Sequence, residues 1–242
     1  MKKWISTIVL ALLAAYIVVG AIAFSNKPAD QVCLGVKLEI ADSTEVGYMN
    51  TNDVLSLLRK SGLDPTGKLM EEVNLRAVEK ALDAAPLVRK SECYKTVGGY
   101  LGIEVKCRRP ILHVIANNGE NYYIDEEGEV IERISKAVYL PVATGHITRK
   151  FACNELLELA QYVQNDEFWK AQIAQVHVTA THEIELVPRV GDHTIVLGRP
   201  GNYARKFEKL YTFYEKGLTQ VGWNKYSRIN LDYSNQVIGT KK

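Results

Sequence analysis

The chain has 242 residues, 47% hydrophobic and 24% charged, with 17 Gly and seven Pro. That composition excludes a collagen-like or low-complexity chain, and the length suffices for one large domain or two small ones. Thirty Lys and Arg against 28 Asp and Glu leave a net charge of +2, so bulk charge points neither to a nucleic-acid partner nor to an acidic disordered tail.

One segment departs from the average. Ile5 to Phe24 contains no charge, Asn, Gln or Pro over its twenty residues. As a helix it would be about 30 Å long, the thickness of a bilayer's hydrocarbon core. Lys2, Lys3 and the terminal amine precede it, and Lys27 and Asp30 nearly cancel beyond it. Positive charge stays in the cytoplasm, which places residues 1–4 there and the bulk of the chain on the exported side. Ala21-Ile22-Ala23 also fits a signal-peptide cleavage site. The apolar run exceeds the roughly 7–15 residues of a signal core, so a retained single anchor is the expectation. In an exported compartment Cys33, Cys93, Cys107 and Cys153 could pair in three ways. No CxxC occurs and no Cys lies near a His at ligand spacing, which favours buried thiols.

Residues 25–32 form a polar linker carrying Pro28. Val36, Leu38 and Ile40 then alternate within a strand pattern over Val32 to Ile40. A helix pattern follows from Asn52 to Lys60, capped by Thr51 or Asn52, with Gly62 beyond its end. Another runs from Leu75 to Ala84, with Asn74 as cap and Pro86 as stop. Two strand patterns, Leu87 to Lys95 and Tyr100 to Arg108, flank a turn at Gly98-Gly99. Two helices on one face of a small mixed sheet would bury these stripes, giving a β-α-α-β-β module over 33–109.

From residue 110 to 242 the texture is that of a β-rich domain. Ile111 to Ala116 and Tyr122 to Asp125 flank the hairpin signal Asn117-Asn118-Gly119, and Asp125-Glu126-Glu127-Gly128 turns before Val130-Ile131. Ala137 to Ala143, Ile173 to Val178, Ile184 to Val187 and Thr194 to Leu197 read as further strands. Two helices are expected, Cys153 to Gln164 and one through Tyr203, Phe207, Leu210 and Tyr214 that Gly217 ends. Arg228 to Ile238 reads as a closing strand with Ile229, Leu231, Tyr233 and Val237 on one face. The fold class is α+β: a single N-terminal transmembrane helix, the β-α-α-β-β module and a mostly antiparallel β-domain with two helices.

Catalytic patterns are weak. The five His form no metal-ligand spacing, and no HExxH, GxSxG, P-loop or dinucleotide fingerprint occurs. Gly198-Arg199-Pro200-Gly201 could hold an anion before a helix, but a strand-to-helix turn explains it. Glu183 and Glu185 share a strand face, as they would on any solvated sheet. No enzyme, cofactor or metal is expected.

The ordered motifs carry a resemblance. Pro86-Leu87-Val88-Arg89, Ile103 through Ile111 (IEVKCRRPI), Asp125-Glu126-Glu127-Gly128, Leu140-Pro141-Val142 with Gly145, Leu197-Gly198-Arg199 and Ile229-Asn230-Leu231-Asp232-Tyr233 succeed one another as in the FtsQ/DivIB bacterial cell-division proteins of Bacteroidetes-like Gram-negatives, which the chain resembles nearly end to end. The resemblance implies a POTRA-like module and a non-enzymatic inner-membrane scaffold. Its N-terminus would be cytoplasmic and its C-terminal domain periplasmic, at the division septum. It implies FtsB- and FtsL-like bitopic coiled-coil partners, with an indirect link to an FtsW/FtsI-like septal peptidoglycan synthase. In the family a strand of FtsB adds to the last strand, a β-augmentation. Carried onto this sequence, the partner-binding residues are Arg199 of the "LGR" turn and Ile229, Leu231, Tyr233, Asn235 and Val237 of the terminal strand. The chain stops five residues after Val237, where family members often extend further, so contacts of such an extension are not carried over. The competing reading is a POTRA-type polypeptide-binding or transport module. A wall hydrolase would rest on the acidic pairs alone.

Overall fold

The computed structural model describes residue 4 and residues 12–19, 31–41, 49–134 and 138–242. The expected anchor from Ile5 to Phe24 lies mostly outside them; its described part, 12–19, is helical and exposed. Among the described residues no helix is long and apolar enough to cross a membrane. The rest forms two compact units. One is built from Met49–Ala84 and Lys90–Val105 with residues 31–41, and the other from Ala85–Arg89 and Lys106–Lys242.

The first unit carries β1 (Gly35–Ile40), α1 (Thr51–Lys60), α2 (Leu75–Asp83) and most of β2 (Val88–Lys95) and β3 (Tyr100–Cys107), of which residues 88–89 and 106–107 are counted with the second. The three strands form one sheet in the order β1-β3-β2, with β1 parallel to β3. The cap of α1 is Asn50, one residue before the expected candidates: its side chain accepts from the Asp53 N–H and the Asp53 carboxylate accepts from the Asn50 N–H, a reciprocal capping box. Asn74 caps α2 as expected. Val54 and Leu58 of α1 and Val78 and Leu82 of α2 are buried, as are Met70, Leu101 and Ile103. The outward edge of β2 is covered by α2, since Asp83 accepts from the Ser91 N–H (2.7 Å) and Glu79 from the Cys93 N–H (2.8 Å). Burial, with Glu79 and Asp83 adding to it, pushes the Cys93 thiol up to about 12. Cys33 is a buried thiol, Cys93 and Cys153 are half-buried thiols, and Cys107 is buried.

The second unit carries β4 (Pro110–Ala116), β5 (Asn121–Asp125), β6 (Val130–Ile131), β7 (Val142–Gly145), β8 (Ile173–Val178), β9 (Ile184–Pro188), β10 (Thr194–Gly198), β11 (Tyr226–Asn230) and β12 (Ile238–Lys241). They make one nine-stranded sheet in the order β12-β11-β10-β9-β8-β7-β4-β5-β6. Most neighbours are antiparallel, but β4-β7, β7-β8 and β10-β11 are parallel, because a helix connects the second and third of these pairs.

Among the described residues three helices, not two, accompany the sheet. The composite α3 comprises Arg149–Phe151, the π-helical turn Ala152–Leu156 and Leu157–Gln164, and starts early because Thr148 caps it. The unexpected α4 (Glu167–Gln172) is a short helix capped by Asp166 that buries Trp169, too short to show an apolar period. The third, α5, runs through Tyr203–Phe213, a π-helical turn Tyr214–Leu218 and Thr219–Val221. Gly217 lies inside that turn and does not end it; Gly222, at φ 93°, does. Phe207 is fully buried between Tyr162 (ring centroids 4.9 Å) and Trp169 (4.7 Å). Of the expected strand Ala137 to Ala143, residue 137 lies outside the described residues, 138–141 are irregular, and β7 begins only at Val142.

Candidate partner-binding edge

The expected continuous strand from Arg228 to Ile238 is two strands. β11 ends at Asn230, residues 231–237 turn, and β12 returns antiparallel, pairing Asn230 with Ile238 and Arg228 with Thr240. The break has a local cause: Asp232, Ser234 and Asn235 are turn formers, and the Asn230 side chain accepts from the Asp232 N–H at 2.9 Å. The sheet therefore ends on β12, four residues long with Ile238 40% exposed.

Helix α5 holds this turn in place. Lys209 Nζ donates to the carbonyls of Leu231 (2.9 Å) and Tyr233 (2.6 Å), and Arg205 Nη2 donates to Asn235 Oδ1 (3.0 Å). The buried Lys206 donates to the Arg199 carbonyl at 2.5 Å. Three cations within five residues thus tie the Arg199 turn and the Tyr233 turn to the same stretch of helix. Burial holds the Lys206 ammonium below its usual range, with Asp232 opposing and Lys209 reinforcing the shift. Lys209 is lowered too, first by burial and then by Arg205. Gly198, at φ 70°, closes the arrangement: a Cβ there would collide with the Asp232 carboxylate.

The six residues expected to bind a partner divide between two environments. Ile229 and Leu231 are fully buried core residues, whose side chains no partner can reach. Arg199 and Asn235 are exposed, Tyr233 is half exposed, and Val237 is partly buried against the core. Asn235 and Val237 line one side of a groove of about 540 Å³ whose other side is Lys209, Thr212, Phe213 and Lys216 of α5. Periodicity alone did not show the edge itself, Ile238–Lys241, or the helix residues Arg205, Lys206 and Lys209 that support it. The Asp-Tyr-Ser-Asn run was the available signal.

Beside the start of β10, His193 is buried, its Nε2 3.0 Å from the Tyr214 hydroxyl and its Nδ1 without a hydrogen-bond partner. Asp192 next to it pairs with Lys242 Nζ, one residue beyond β12, at 2.6 Å. Burial lowers the His193 pKa from 6.5, with Asp192 opposing and Lys242 reinforcing. The folded state favours the neutral ring, while the unfolded chain takes up its proton near 6.5. The stabilisation is therefore complete above that pH and declines as the pH falls toward the lowered folded value. Thermal midpoints taken from pH 7.5 to 5 are expected to fall, and His193→Gln is expected to flatten that decline; parallel slopes for the two proteins would remove His193 as its source.

The described residues hold no group of three or more His, Cys, Asp or Glu able to bind a metal ion. What the fold offers is a sheet edge with a groove beside it, which defines a two-unit α+β scaffold. Residues 109–240 match the model of the FtsQ/DivIB, C-terminal related family, and residues 31–106 match the POTRA-like domain. The chain belongs to the FtsQ/DivIB family, a family of cell-division scaffolds. No curated protein matches it.

Proposed function

We propose that this protein is a bitopic division scaffold whose terminal strand β12 accepts an extended segment of a partner as a further strand. The observation that supports it is the end of the nine-stranded sheet on β12, whose outer side has no neighbouring strand among the described residues. An unpaired edge presents N–H and C=O groups to any chain able to pair with them. Tyr233 supplies an aromatic anchor beside that edge, and the Phe213–Val237 groove receives a side chain or short helix next to the added strand. The partners are FtsB- and FtsL-like single-pass coiled-coil proteins, through which the chain links to septal peptidoglycan synthesis. Ile5 to Phe24 anchors it in the inner membrane, with residues 31–242 in the periplasm.

The rival reading, a POTRA module that binds polypeptide along a strand edge, is disfavoured at β2, where Glu79 and Asp83 already occupy outward N–H groups. Photo-crosslinking in cells from probes at Tyr233 and Ile238 discriminates the two. Adducts from both positions to small single-pass coiled-coil proteins are expected; adducts to unfolded client proteins instead would support the rival. Tyr233→Lys is expected to weaken partner capture at least about tenfold, the loss of one moderate hot spot. Its thermal midpoint should stay unchanged, because the ring is half exposed.

A further inference from the structure

The turn joining β2 to β3 places Val97 at its tip, 95% exposed, where Asn, Asp or Ser would be usual. Three more exposed aliphatic side chains lie at the same end of the first unit: Leu34 (61%), Val32 (44%) and Leu69 (39%). They are held together by the backbone. Cys33 N–H donates to the Lys68 carbonyl and Gly67 N–H to the Cys33 carbonyl, both at 2.8 Å, and Val32 bridges Leu69. Leu34 N–H donates to the Gly99 carbonyl at 2.8 Å, and the Gln31 side chain donates to the Val97 carbonyl at 3.1 Å. The segment 31–34 is thus clamped between the 65–70 loop and the 96–99 turn, and all three present apolar groups outward together.

We propose that this end of the first unit rests on the outer surface of the bilayer in which Ile5 to Phe24 is anchored, with Val97 and Leu34 entering the lipid interface. The proposal rests on the anchor reading above. Six residues, 25–30, separate the apolar segment from Gln31; fully extended they span about 20 Å, of which the headgroup layer takes roughly 5–8 Å. The clamp fixes which end of the unit that short tether reaches, and it is the end with the exposed aliphatic groups. Lys68 is followed in sequence by Glu71 and Glu72, and Lys37 Nζ rests over the Tyr100 ring at 4.4 Å, so the contact is assigned to the apolar groups and little dependence on salt is expected. A tether this short gives an effective concentration on the order of millimolar or higher, so a contact too weak to hold a free domain suffices.

The test uses the full chain in nanodiscs of phosphatidylethanolamine and phosphatidylglycerol. A fluorophore is placed by Val97→Cys or, as control, by Lys90→Cys at the far end of β2, seven residues or about 23 Å away along the strand. Labelling near pH 7 favours these exposed thiols, since Cys33 and Cys107 are buried and burial raises both Cys93 and Cys153. Nitroxide-headgroup lipids are expected to quench the probe at 97 severalfold more than that at 90, equally in 50 and 500 mM salt. Leu34→Asp, exposed and so harmless to folding, should lower the quenching at 97 toward the control. Equal quenching at both sites, in a chain that resists alkaline extraction, would overturn the docking and leave the anchor standing. Extraction of the chain by alkali would overturn the anchor, and this proposal with it. Protection of the thiol at 97 in native membranes, without lipid quenching in nanodiscs, would assign the patch to a protein partner and overturn the lipid reading.

Discussion

Leu231→Ala is expected to destabilise the second unit by about 3 kcal/mol, within the range for a fully buried Leu that leaves a cavity, and to lower its melting temperature by roughly 9 °C. Leu231 follows β11 directly and is fully buried, in the same cluster as Ile229, Leu197 and Phe207. Its N–H donates to the Val196 carbonyl at 2.8 Å, which carries the β10 pairing one residue past β11. Its carbonyl accepts from Lys209. The side chain therefore fixes the point from which the 231–237 turn departs, although it offers nothing to a partner. Two measurements separate the roles: partner affinity per folded molecule at 20 °C, and the thermal midpoint. Leu231→Ala should shift the midpoint and spare most of the affinity, and Tyr233→Lys should do the reverse. If Leu231→Ala melted like the parent, the residue would not be a core residue.

That contrast marks the limit of what periodicity conveys. Ile229, Leu231, Tyr233 and Val237 share one parity, and an uninterrupted strand is the simplest pattern for them. The interruption comes from side chains bonding to the backbone, Asn230 to the Asp232 N–H, and from the Lys209 ammonium collecting two carbonyls. Neither leaves a periodic trace. The hairpin β4-β5 was legible because Asn117-Asn118-Gly119 demands a tight turn, with Gly119 at φ 89°, and α2 was legible because Asn74 and Pro86 bracket its stripe. The parallel neighbours β4-β7 and β7-β8 were not, since which strands pair across long connections is decided by packing that a single sequence does not display. The same holds for the candidate site: Tyr233 could be named from its motif, but the edge it flanks is defined by where the sheet stops.

Asp125→Ala is expected to have an effect as large at the other end of the sheet, about 3 kcal/mol, because it leaves two backbone N–H groups without their acceptor and takes the buried carboxylate away from the partly exposed Arg108. Asp125 is 1% exposed. Arg108 Nη1 donates to Oδ2 at 2.9 Å, and the N–H groups of Glu127 and Glu129 donate to Oδ1 at 2.9 and 2.8 Å. One carboxylate thus closes the β5-β6 turn and fastens it to Arg108. Gly128, at φ 85°, completes that turn directly beneath α3, where a Cβ would lie 2.9 Å from Leu157. Asp125→Asn keeps Oδ1 as acceptor for both N–H groups but turns the oxygen that accepts from Arg108 into an amide NH2, a donor, so the Arg108 hydrogen bond is lost and the cost should be about 1.5–3 kcal/mol, that of a hydrogen bond to a charged group. Urea midpoints of Asp125→Asn, Arg108→Met and the double variant give the coupling directly; a coupling near zero would mean that the two N–H groups, and not Arg108, are what Asp125 serves. Because β6 and β12 are opposite ends of the sheet order, none of these variants should change partner affinity once corrected for the folded fraction. The Asp125–Gly128 turn then stands as a folding element, and binding is left to the turn that Lys209 holds beside β12.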